Sequence, residues 1–149
     1  MTMTMLIILA LLIVAVVMAQ GLHLNTAFVP TPQDESLRLE ASATKTADFV
    51  GTTKDLGLGY DPGGLGQQAC AVVSITALDT TDTNETYAFV LQESHDGSTW
   101  ANAGPIITVT ATGIASIPGW LSRRYARLNL DVGGTTPSIT YESWLNANL

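Results

Sequence analysis

The alternation that leads up to Val132 limits most sharply what this chain can become. Ala126, Leu128, Leu130 and Val132 take every second place, and Arg127, Asn129 and Asp131 fill the places between. Successive side chains of an extended chain point to opposite sides, so this spacing predicts a strand with one apolar face and one wet face. Gly133-Gly134-Thr135-Thr136-Pro137 ends the pattern with residues that tolerate positive φ or fix φ, and Ser138 to Leu145 begins a second β-rich run. The two are expected to form a closing hairpin.

The rest of the chain after Ser36 reads the same way. Leu37 and Leu39 alternate with Arg38 and Glu40, and a polar stretch leads to Phe49 and Val50, which suggests one or two short strands. Ala69 to Leu78 is a nearly continuous apolar run rich in β-branched residues, as expected of a central strand covered on both faces. Tyr87 to Glu93 carries apolar residues on both faces and is also expected inside. Ser94-His95-Asp96-Gly97-Ser98-Thr99-Trp100 follows, and Asp-Gly between two strands is a strong hairpin signal. Ile106 to Ala111 alternates again, and Gly113 to Pro118 reads as a turn or short strand before Trp120 and Leu121. About seven or eight strands at intervals of about 8 to 12 residues mark a sandwich or barrel. The expected fold is all-β, an antiparallel β-sandwich over residues 36–149.

Composition agrees with many short strands. Charged residues make up 13% of the 149-residue chain, against about a quarter in an average domain. A net charge of −7 with only six Lys and Arg argues against direct nucleic-acid binding, because neutralising phosphates needs a basic face. Arg123, Arg124 and Arg127 do sit together; as a solvated strand edge or as ion-pair partners in an acidic protein they have a sufficient structural explanation. Cys70 is the sole cysteine, so no intrachain disulfide can form, and its apolar neighbours predict a small core residue.

Residues 1–33 hold no Asp, Glu, Lys or Arg, and twelve of the fourteen residues from Met5 to Met18 are Leu, Ile, Val or Met. Burying each such side chain is worth about 1.5–3 kcal/mol, so residues 1–20 must find lipid, a partner or removal. A secretory signal is favoured by Val16-Val17-Met18-Ala19 before Gln20, but MTMTM lacks the basic n-region. A transmembrane anchor has about the 20 residues a span requires, without flanking Lys or Arg to orient it. The third reading is an apolar arm or helix buried against other copies or a larger assembly, and a retained arm or anchor is preferred over a cleaved signal. Residues 21–35, with Pro30 and Pro32, read as an extended linker.

Sites for chemistry are sparse. The glycine-dense stretch from Asp55 to Gln67 has neither Gly-Lys-Ser/Thr nor Gly-x-Gly-x-x-Gly and is expected to be a surface loop. Asp79, Asp82 and Glu85 lack the spacing and central glycine of an EF-hand and read as a solvated acidic turn. Asn84-Glu85-Thr86 matches a glycosylation sequon. His95 lies on a turn with no second ligand at metal-binding spacing. The Ser94–Trp100 turn is similar to the Asp-box of sialidases, but its glycine follows the aspartate directly, one residue early. No catalytic residue, cofactor or metal site is expected.

Two stretches carry a family resemblance: residues 88–100 (AFVLQESHDGSTW) and residues 123–144 (RRYARLNLDVGGTTPSITYESW), preceded by ATKTADFVGTTKDLGLGY at 43–60. Their order resembles small jelly-roll virion proteins of tailed bacteriophages, among them capsid decoration or cement proteins. The resemblance covers roughly residues 37–149. It implies a jelly-roll sandwich that forms homo-oligomers on the virion and bridges subunits of the major capsid protein. The contacts would come from Leu6, Ile7, Ile8, Leu9, Leu12, Ile13, Val16 and Val17 of the arm and from Arg123 and Arg124. The alternative is a secreted or membrane-anchored β-sandwich that binds carbohydrate or another surface ligand through Trp100, Trp120 or Trp144.

Overall fold

A computed structural model describes residues 35–57 and 66–147. The expected arm at 1–20 and nearly all of the linker lie outside the described residues, as does the middle of the glycine-rich loop. A single 3₁₀ turn, Glu35–Leu37, precedes ten strands: β1 Arg38–Lys45, β2 Phe49–Val50, β3 Lys54–Asp55, β4 Gln67–Leu78, β5 Thr86–Ser94, β6 Trp100–Asn102, β7 Ile107–Thr108, β8 Gly113–Leu121, β9 Tyr125–Gly133 and β10 Ile139–Ala147. Among the described residues there is no α-helix.

The strands form two antiparallel sheets. One runs β1-β10-β4-β8, and the other β2-β9-β5-β6, with β3 also on β9 and β7 also on β5. Period-two side chains from both sheets meet in one core. From the first sheet come Leu39, Ala71, Val73, Ile75, Ile117, Tyr141 and Leu145; from the second come Tyr87, Phe89, Leu91, Ala126, Leu128 and Leu130. The Phe89 and Tyr141 rings meet edge to face between the sheets, centroids 5.1 Å apart. The result is an antiparallel β-sandwich.

Main-chain bonds tie the sheets together at two corners. Gly51 N–H donates to Leu128 O at 2.8 Å and Thr52 N–H to Leu39 O at 2.7 Å, so this dipeptide bonds to one sheet and then the other. Ala103 does the same on the opposite side: its N–H donates to Leu91 O at 2.8 Å, and its carbonyl accepts from Trp120 N–H at 2.7 Å. Gly104 follows because a Cβ there would overlap Pro118 O. These crossings divide the outer strands into the short pairs β2/β3 and β6/β7.

Three expectations change. β9 and β10 are not a hairpin; they lie in opposite sheets, and residues 134–138 cross between them. Tyr87 holds that crossing: its hydroxyl accepts from Ser138 N–H at 2.8 Å and donates to Asp79 O at 2.8 Å. Gly113–Leu121 is one nine-residue strand despite Pro118, because β8 is an edge strand on which proline forfeits no ladder bond. Cys70 is half-buried on the outer face of β4, since Ala69, Ala71, Val73 and Ile75 take the inward places. The Ser94–Trp100 hairpin forms as expected, with Ser94 paired to Trp100 and Glu93 to Ala101.

Candidate interaction surface

The polar side chains at the sandwich ends serve the fold. Arg124 forms a bidentate pair with Asp55 (Nε to Oδ1 2.8 Å, Nη2 to Oδ2 2.7 Å), locking β3 to the start of β9. That hydrogen bond, with a second from Gly57 N–H, holds the Asp55 carboxyl down to about 2. Arg123 turns its Nε toward Glu93 Oε1 at 3.4 Å. Glu93, only 7% exposed, also accepts Ser122 N–H at 2.7 Å and so fastens the β8–β9 connection. The two arginines expected as contact residues therefore have partners within the chain, although Arg124 keeps an exposed flank.

Arg127 places its guanidinium 4.0 Å from the centre of the Trp100 ring and donates to Gln92 Oε1 at 2.9 Å. This cluster stiffens the outer face of the second sheet over the Asp-Gly hairpin. Asp96 organises the hairpin itself: Thr99 and Ser98 N–H donate to it at 2.7 and 2.9 Å and hold its carboxyl well below the usual range. His95 is exposed on that turn. In the β4–β5 loop, Asp79 accepts from the Thr81 hydroxyl and N–H, Asp82 accepts from Thr136, and Asn84 of the sequon bonds Thr135. No group of three or more His, Cys, Asp or Glu among the described residues is placed to hold a metal ion.

The first sheet differs. β4 and β8 together hold no Asp, Glu, Lys or Arg, in a chain with thirteen acidic residues. Cross-strand neighbours set the outer face: Gln68 beside Trp120, Cys70 beside Pro118, Val72 beside Ser116 and Ser74 beside Ile114. Ile114 is 63% exposed and Trp120 52%. Across β8, β4 and β10 lies a groove of about 190 Å³ lined by Gln68, Ala69, Cys70, Ser116, Pro118 and Asn146. A turn or short strand over Gly113 to Pro118 does not imply this surface, although the absence of charge across Gly113–Leu121 is legible in the sequence.

The eight expected arm residues from Leu6 to Val17 lie outside the described residues. Among the described residues no helix is long and apolar enough to cross a membrane. No protein-family model matches the chain, and no curated protein matches it.

Proposed function

We propose that the chain is a non-enzymatic structural protein of a bacteriophage virion, a jelly-roll decoration or cement protein that stabilises the head by bridging major capsid subunits. One observation carries the reading, the order of strand pairing. β1 pairs with β10, β2 and β3 with β9, β4 with β8, and β5 with β6 and β7. If β2/β3 and β6/β7 each count as one interrupted strand, this is a single long antiparallel ribbon turned back at the β5–β6 hairpin. Rolling it brings β10 onto β4 and β9 onto β5. Rolled ribbons of this kind recur in capsid and lectin domains.

The side chains support binding over turnover. The carboxylates and arginines at the sandwich ends bond their own turns, and the exposed apolar side chains of β8 face outward. Acidity keeps such a protein soluble and away from packaged DNA. The protein is expected to co-sediment with assembled particles, and particles lacking it are expected to open at lower temperature. Recovery of the protein free of particles in every gradient fraction overturns the reading.

Lectin-like binding is the second reading, favoured by Trp120, whose half-exposed indole lies beside Gln68 on the sheet face. Glycan-array binding that disappears on Trp120→Ala, without particle association, favours it over the first.

A further inference from the structure

Unpaired sheet edges attract other strands, and proteins guard them with shortness, bulges, charge or cover. Among the described residues, β2, β3, β6 and β7 are two or three residues long. β1 is longer, but its pairing with β10 shifts register twice and it carries Arg38, Glu40 and Lys45. β8 has none of these defences over its first half. It pairs with β4 from Gly113 to Leu121 without a register shift and holds no charge. Among the described residues only its far end is covered, by Ala103 and Gly104 against Pro118 and Trp120.

The direction of the open groups follows from one bond. Trp120 N–H points away from β4, to Ala103 O. Main-chain groups alternate sides along an antiparallel strand, so Pro118, Ser116 and Ile114 also turn theirs outward. Pro118 has no N–H. Ile114 and Ser116 therefore offer the donors and acceptors of the open edge, and both residues are exposed.

We propose that this edge pairs with β8 of a second copy of the chain, antiparallel across a two-fold axis passing beside Ala115. Ile114 of each copy then stands opposite Ser116 of the other. This register uses every outward N–H and C=O of the two residues, roughly four main-chain hydrogen bonds. It joins two four-stranded sheets into one and continues the apolar outer strip across the junction. Charge selects a second copy over another partner. A chain of net charge −7 would be steered to a basic partner through its acidic ends, whereas a neutral strand draws no opposite charge and is where two like-charged copies can meet without opposing their carboxylates. The pairing is a property of the chain itself and does not depend on the capsid reading.

The test is sedimentation equilibrium of the full chain in a mild detergent, with amide exchange at low and high protein concentration. The wild type is expected to be a dimer whose Ile114 and Ser116 amides gain protection with concentration. Ser116→Pro, which removes an outward N–H and leaves the β4 ladder intact, is expected to raise the dissociation constant at least tenfold. Ile114→Lys does the same by placing charge on the edge and serves if the proline variant does not fold. Adding Ser116→Glu to Ile114→Lys sets opposite charges across the pair and restores association, while Val50→Lys on the other sheet leaves it unchanged. A monomer at all concentrations, dimerisation indifferent to both edge variants, or no rescue by the double variant overturns the proposal. Particle association is scored separately, so its failure leaves the dimer result standing.

Discussion

Replacing Tyr87 with Phe isolates what holds the segment that crosses between the sheets. The side chain is 1% exposed. Its ring packs in the core and its hydroxyl serves Ser138 N–H at 2.8 Å and Asp79 O at 2.8 Å. Phenylalanine keeps the ring and opens no cavity, so the cost is polar alone. Two hydrogen bonds are lost, each worth about 0.5–1.5 kcal/mol net, and Ser138 N–H is left without its acceptor, which shifts the sum toward about 2–3 kcal/mol. For a body of this size about 1 kcal/mol moves the melting temperature by roughly 4 °C, so a fall of about 10 °C is expected. Urea unfolding should show a lower midpoint at unchanged slope, as expected when stability changes and compactness does not. The Ser138 amide should also exchange faster in the variant. A loss below about 0.5 kcal/mol with Ser138 still protected means that the hydroxyl does not hold the crossing.

The other stability predictions address the sandwich ends and one corner. Glu93→Ala takes the charged acceptor from Ser122 N–H and the partner from Arg123; about 2–4 kcal/mol is expected in urea unfolding, and a neutral result contradicts the anchoring role. Gly104→Ala forces a Cβ into Pro118 O; about 3 kcal/mol or failure to fold is expected, read by expression and thermal melting. Asp55, Asp79 and Asp96 have folded-state pKa values depressed below 3.8 by their hydrogen bonds. Their contribution is complete above the unfolded pKa and disappears as pH falls through the folded values, so the urea midpoint should fall from about pH 4 down toward about pH 2. Asp96→Asn should flatten that descent, and a midpoint constant between about pH 5 and about pH 2.5 contradicts the assignment.

Individual strands were legible because burial writes a period of two into the chain. Leu128 and Leu130 of β9 and Phe89 and Leu91 of β5 all took inward places where alternation put them. Pairing was less legible, because an apolar face specifies that a strand covers a core but not which neighbour it bonds. Leu128 and Tyr141 face the same core from opposite sheets, and Gly133 to Pro137 suits a hairpin loop as well as a crossing. Cys70 was misplaced by its apolar neighbours, though the same alternation puts it outward. The carboxylate anchors were hidden by distance along the chain: Arg124 is 69 positions from the Asp55 it pairs with, and Ser122, whose N–H donates to Glu93, is 29 from it. Nothing local distinguishes a paired arginine from a solvated one.

Salt provides the last discrimination, between a neutral edge and an ionic contact. The thirteen acidic residues include none on β4 or β8, whereas the other long strands, β1, β5, β9 and β10, all carry charge. Two copies approaching through β8 bring their net charges together without forming an ion pair, so the electrostatic contribution is repulsive and long-ranged. Raising ionic strength from about 0.01 to 0.15 M shortens the screening length from about 30 to 8 Å. That removes repulsion beyond the interface and leaves short-range hydrogen bonds and apolar contacts unscreened. The dimer dissociation constant should therefore fall as salt rises. An interface built on Arg123, Arg124 or the acidic loop would weaken over the same range, because screening would act on its attraction. Sedimentation equilibrium at the two ionic strengths gives the sign, and a dissociation constant that rises with salt places the contact at the charged ends of the sandwich.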